Sequence, residues 1–259
     1  MKICSCECSF NCSRSSSSPP ARAQKKDLLK TDGYGSLSGK VTLAGVGPVP
    51  VLPNVGKPVG NDWVIDKNTR AVANVVVWIK PPAKQYLVTH PNFKQRAEQI
   101  VIGIKDKDFF PRVSAFNPHY FDGKAKVATG QKLILKNSDT GGHGVRFQTH
   151  PNFNNDLHLS FSPMTDLDLT NKIQPQPLPI HLESYIAAWM GAKLYVFDHP
   201  YYAITKADGT YSIPFVPAGA EVFIMGHHAG VGYVVNLSKG KAVTIQKNKK
   251  TTFDIEVTK

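Results

Sequence analysis

Short apolar runs, punctuated at close intervals by Gly, Pro, Asn and Asp, follow one another along this chain and predict strands rather than helices. Leu37 to Val46 alternates apolar with polar or small residues and closes on Gly47-Pro48, as a half-buried strand at a sheet edge does. Val75 to Ile79 is apolar at every position, so both faces of that strand must be covered. Gln99 to Ile104, Lys126 to Leu135, Val145 to Gln148 and Lys193 to Phe197 read as further strands, and Ala207 to Gly219 as a turn, a strand and a second turn. The best helical candidate, Asn92 to Ile100, is short. The pattern predicts an all-β fold of the sandwich type.

Composition makes a core possible: 259 residues with 41% hydrophobic content suffice for one large or two ordinary domains. A net charge of +12 raises the question of nucleic acid, but the positive residues are spread along the chain. The one dense run, Lys239 to Lys250, sits in turns flanking Ala242 to Ile245, where lysines guard a sheet edge against pairing. Specific nucleic-acid binding is therefore not expected, although this charge favours weak association with anionic polymers or membrane surfaces. No stretch is long and apolar enough for a transmembrane segment.

All four cysteines, Cys4, Cys6, Cys8 and Cys12, lie at the start of the chain, spaced too tightly for an ordinary zinc module. Lys2 and Ala21-Arg22-Ala23 provide the charged start and the cleavage pattern of a secretory leader, yet the segment between them is rich in Ser and Cys and has no apolar core. Residues 1–35 are read as a disordered leader and linker, with Ser15 to Pro20 as the linker proper.

Signatures of catalysis are missing: there is no G-x-S-x-G elbow, P-loop, H-E-x-x-H or G-x-G-x-x-G. Ser184 and His181 are three residues apart, which in an extended segment puts them on opposite faces. The chain is read as no enzyme. The pentapeptide Thr-His-Pro-Asn-Phe occurs at 89–93 and again at 149–153 with unrelated flanks, and predicts two similar His-Pro turns, each anchored by its Phe. His227-His228 is a paired imidazole that can attract a transition metal adventitiously.

Four stretches carry a resemblance. Gly39-Lys40-Val41, Ala73 to Trp78, Gly130-Gln131-Lys132-Leu133-Ile134-Leu135-Lys136-Asn137-Ser138-Asp139 and Val196-Phe197-Asp198-His199-Pro200-Tyr201 follow one another in the order found in planctomycete-type cupredoxin-like proteins, which the chain resembles from about residue 36 to 219. The resemblance implies a Greek-key β-sandwich with a blue-copper centre, in which two imidazoles and a thiolate surround the metal and a thioether lies on the axis. In such proteins the upstream His follows the Asn-Ser-Asp strand, and a loop supplies Cys, then His three residues on, then Met three further. By register, His143 and Met190 hold ligand positions here, whereas Ser184 stands at the Cys position and Ala187 at the second His position. A hydroxyl cannot replace the copper–thiolate bond, and a methyl group coordinates nothing. The Asn that commonly follows the upstream ligand is Gly144, and a Pro-His-Val pattern reads Pro111-Arg112-Val113.

His143 and Met190 are thus remnant ligand positions, retained for packing and not for metal; the alternative is a copper-binding electron-transfer protein with a non-standard ligand set drawing on His150, His158 or His181. The segment 207–219 also resembles the D-G-x-Y-x-I-x-x-V-P-A-G signature of carboxypeptidase-regulatory, transthyretin-like sandwiches. The implied architecture is a transthyretin-like sandwich of residues 36–80 and 200–259 with a cupredoxin-like unit, residues 81–199, nested in it or packed beside it. Such a protein is expected to be periplasmic or secreted, to carry no cofactor, and to bind a protein or polysaccharide partner through aromatics such as Tyr201, Tyr202 and Trp189.

Overall fold

The unbroken apolar run at Val75 to Ile79 lies where two hydrophobic cores meet. The computed structural model describes residues 27–45, 64–187, 189–236 and 238–258, and these are all-β apart from a single 3-10 turn at Pro91–Phe93. The strand Val76–Lys80 sends Val77 and Ile79 into one core and Val76 and Trp78 into a cluster on its other face. Period-two alternation in a strand covered on both sides requires an apolar residue at every position, which accounts for the run.

The first core lies between two sheets. One has the order Tyr202–Ile204, Val76–Lys80, Glu221–His228, with Gly232–Tyr233 and Lys241–Thr244 both pairing Glu221–His228. The other is built on Gly33–Leu43, which pairs antiparallel with Thr210–Ala218 and parallel with Lys250–Thr252 and Ile255–Val257. Leu37 and Val41 from this sheet meet Val77, Ile79, Val222 and Ile224 from its neighbour. Gly33–Leu43 is therefore an interior strand, not the edge its alternation predicted. Alternation reports that only one face is deeply buried, and says nothing of how many neighbours a strand has.

A second core, with Ile102, Leu133 and Leu135 facing Val145, Phe147, Leu182 and Leu194, is enclosed by two further sheets. Their orders are Asp166–Asp168, Lys132–Asn137, Gln99–Lys105, Asp108–Phe110, and Leu157–Phe161, His143–Gln148, Ile180–Ser184, Gly191–Val196, Val113–Phe116. The first core draws on Leu29 to Leu87 and Tyr201 to Val257, the second on Ile102 to Val196. Trp78, Met225, Val113, Ala115, Tyr195 and Phe197 form the cluster that joins them.

Three expectations are corrected. Residues 27–35 belong to the folded body: Asp27–Leu28 pairs with Gln85–Tyr86 and Leu29 is buried in the first core. The cysteines and the Ser-Pro linker lie outside the described residues. The helical candidate at 92–100 instead holds the end of the 3-10 turn, an irregular stretch and the start of a strand, because Gln99–Lys105 finds a parallel partner in Lys132–Asn137 and the β-branched Ile100, Val101 and Ile102 suit it. Tyr201 is not an exposed contact residue but fully buried, its hydroxyl donating to the Val88 carbonyl (2.6 Å) and accepting from the His90 N–H (2.8 Å). Tyr202 and Trp189 are half-buried. Among the described residues no helix is long and apolar enough to cross a membrane.

Candidate functional site

Pairing register brings the four positions singled out in the sequence, His143, Ser184, Ala187 and Met190, to one end of the second core. His143–Gln148 and Ile180–Ser184 are antiparallel neighbours with Val145 opposite Ser184. His143 shares its face with Val145 and Phe147, and Ser184 shares its face with Ile180 and Leu182, so both point to the interior side of the sheet. His181, one face over, cannot serve Ser184 as a base. Beyond Ser184 the chain turns, with Met190 N–H donating to the Ala187 carbonyl (2.9 Å), and Ala187 and Met190 are buried in the same core.

A hydrogen-bond network ties this end together. His143 is 5% exposed and its Nε2 lies 2.9 Å from Asp139 Oδ2. The Asp139 carboxylate also accepts from the backbone N–H groups of Asp106 (2.7 Å) and Lys107 (3.0 Å). Those two residues form the turn between Gln99–Lys105 and Asp108–Phe110 and both adopt positive φ, 53° and 58°, a conformation that disfavours a side chain. Asp139 holds the turn in place, and Trp189 completes the circuit by donating its indole N–H to the Lys107 carbonyl (3.1 Å). Burial alone would raise the Asp139 carboxyl, but the Lys107 N–H, the His143 ring and the Asp106 N–H together hold it below the ordinary carboxylate range. Asn137, almost fully buried, ties the same loop by donating to the Gly141 and Ser162 carbonyls and accepting from the Asp139 N–H.

The donors a copper ion needs are not in this arrangement. Ser184 Oγ accepts from the Ile186 N–H (3.2 Å), Ala187 offers a methyl group, and among the described residues no group of three His, Cys, Asp or Glu is placed to hold a metal ion. One atom stands apart: His143 Nδ1 is buried and has no hydrogen-bond partner. With the Met190 thioether it makes two soft or borderline donors, short of the set a blue-copper centre requires. The residues present do not fit the metal.

Two residues that depart from the expected pattern, Gly144 and Arg112, have visible structural partners. A Cβ on Gly144 would lie 2.9 Å from the ring of Tyr185, whose hydroxyl bonds His158 Nδ1. Tyr185 has taken the space a side chain at 144 would need. Arg112 reaches both Asp108 (2.5 Å) and the Gly191 carbonyl (3.3 Å), fastening the far end of the 184–190 loop.

Comparison with protein-family models, curated proteins and solved structures finds no match for this chain.

The remaining histidines separate. His227 and His228, adjacent on a strand, face opposite sides: His227 Nδ1 meets the Tyr195 hydroxyl (2.7 Å), while fully buried His228 accepts the Gly230 N–H through Nδ1. Burial, with His228 and Lys193 adding to it, pushes His227 down to about 4. His199 is buried and accepts the Tyr201 N–H (3.2 Å), capping a corner. The two pentapeptides fold alike. In each, His Nδ1 accepts the Asn N–H, at 3.2 Å for His90 and 3.3 Å for His150, and the Phe N–H donates to the His carbonyl. Their surroundings differ: His90 stacks on Phe215 and Phe93 packs on the first core, whereas Phe153 is exposed.

The Asp139–turn–Trp189 circuit leaves no pattern in the sequence. Asp139 was visible only as part of an Asn-Ser-Asp motif, and its partners are backbone groups some thirty residues away.

Proposed function

We propose that the chain is a cupredoxin-like protein that has lost its type 1 copper centre and acts, without catalysis, by binding a partner. In this reading residues 81–199 form a Greek-key cupredoxin-like unit nested in or packed beside a transthyretin-like sandwich of residues 36–80 and 200–259, and the protein works in the periplasm or outside the cell. The observation that carries it is the register of Ser184 against Val145, one strand from His143: the position that should bear a thiolate bears a hydroxyl bonded to its own loop. Asp139, Trp189 and Arg112 support the reading, because they maintain the shape of the rim by hydrogen bonds that need no metal.

The test is to restore the donors. A Ser184→Cys, Ala187→His double variant loaded with copper should develop an intense thiolate-to-copper band in the visible, and neither single variant should. A colourless, copper-free double variant that retains its fold would remove the basis for the resemblance.

The unpartnered Nδ1 of His143 favours a second reading, copper held by His143 and Met190 with other histidines. It requires stoichiometric copper on the unaltered protein and loss of that copper in His143→Ala.

A further inference from the structure

Between the two cores runs a cleft of about 520 Å³, within the roughly 300–1,000 Å³ of small-molecule sites, and nothing in the copper argument involves it. Rings from both halves wall it: Trp78 and Tyr233 from the first core's sheet and Phe197 from the end of Gly191–Val196, with Trp78 in contact with each of the other two. Trp78 and Phe197 are 9% exposed, so their rings are fixed by packing on one side and reach the cleft on the other.

Polar groups punctuate these apolar walls, and several have nothing to bond. Gln85 Oε1 is buried without a partner. The Asp198 carboxylate, half-buried, makes no hydrogen bond or ion pair among the described residues, and the Trp78 indole N–H likewise has no described acceptor. His199 commits one ring nitrogen to the Tyr201 N–H, and burial keeps the imidazole neutral despite Asp198 beside it. The contrast within the cleft is informative, since Gln176 in the same wall uses both ends of its amide, accepting from the His150 N–H and Asn154 Nδ2 and donating to the Leu178 carbonyl. Uncommitted donors and acceptors in a partly desolvated, ring-walled space are costly to the free protein unless water or a ligand meets them.

We infer that this cleft binds a neutral saccharide of one or two pyranose rings. A pyranose has apolar C–H faces that suit aromatic walls and a girdle of hydroxyls that both donate and accept. Asp198 and Gln85 would take hydroxyl protons, and the Trp78 N–H would donate to a hydroxyl or ring oxygen. Asp198 is the one carboxylate among the lining residues and Lys80 and Lys84 stand on the same walls, so the cleft carries charges of both signs, and hydrogen bonding against apolar walls, not net charge, selects the ligand.

Calorimetry on the full chain with cellobiose, xylobiose, mannobiose and N,N′-diacetylchitobiose, with digalacturonic acid and a proline-rich peptide as contrasts, tests the assignment. Saturable binding of at least one neutral disaccharide is expected, weakened at least about tenfold by Asp198→Ala, which removes a charge-assisted hydrogen bond, and about threefold or more by Gln85→Leu, which removes a neutral one. The Asp198 carboxylate has no hydrogen bond to lose among the described residues, so the thermal midpoint of Asp198→Ala should match that of the parent. His143→Ala should leave the affinity unchanged, which keeps this result separate from the fate of the copper site. Failure of all four neutral disaccharides to saturate at millimolar concentration would overturn the assignment. So would binding indifferent to both substitutions, or preference for the acidic sugar or the peptide.

Discussion

The rim around His143 and the cleft beside Trp78 are both lined by polar side chains among apolar ones, yet they treat those side chains differently. At the rim, Asp139, Asn137, Trp189 and Arg112 bond mainly to backbone groups, and a single atom, His143 Nδ1, is left over. In the cleft, Gln85 Oε1, the Asp198 carboxylate and the Trp78 indole face a shared space with no such bonds among the described residues. A polar group that is satisfied internally maintains shape, and one that is held unsatisfied by its packing is available to something else. The family resemblance draws attention to the first region, and the hydrogen bonding draws it to the second.

Acid should separate the rim most sharply from the cluster between the cores, on which the cleft is built. His227, which bonds Tyr195 in the cluster between the cores, is held near 4, below its ordinary 6.5, and His199 is lowered as well. A histidine lowered on folding stabilises fully above the unfolded value, and its contribution is lost as pH falls from 6.5 toward 4, because the unfolded chain binds the proton more readily. Asp139, also lowered, keeps its contribution until pH falls below 3.8 and through its folded value. Stability should therefore fall by about 2 kcal/mol between pH 7 and pH 5 from the inter-core histidines. Amide exchange should show the inter-core strands loosening first and the Asp106-Lys107 turn holding until lower pH.

Asp139→Ala should be the most damaging single change at the rim. It strips acceptors from two N–H groups in a strained turn and a partner from His143, and we expect a loss of about 2 kcal/mol, seen as a melting midpoint lower by about 4–8 °C. Gly144→Asn should cost about 1–2 kcal/mol through collision with Tyr185, and adding Tyr185→Ala should recover part of it, a coupling that a double-mutant cycle will read. Asp198→Ala should change stability by no more than about 0.5 kcal/mol. A large loss there would mean that the cleft carboxylate is structural and would erase the contrast.

What the sequence disclosed depended on how local each feature is. The doubly covered strand was readable because five apolar residues in a row, Val75 to Ile79, encode burial on two faces. The twin turns at 89–93 and 149–153 were readable because a His-Pro-Asn-Phe unit closes its own hydrogen bonds. Tyr201 misled because its burial rests on a hydroxyl bonded to Val88 and His90, segments more than a hundred residues away. The interior place of Gly33–Leu43 depends on strands from the far end of the chain, and the cleft is assembled from several separated segments, so neither leaves a local pattern. At the rim, the ligand register could be aligned, whereas the circuit from Asp139 to Trp189 could not.

Copper retention by the unaltered protein tests the central claim most directly. After equilibration with excess copper and exhaustive dialysis, elemental analysis should find far less than one equivalent and no visible absorption band. One equivalent retained, and lost in His143→Ala, would contradict it and return the rim to use as a metal site.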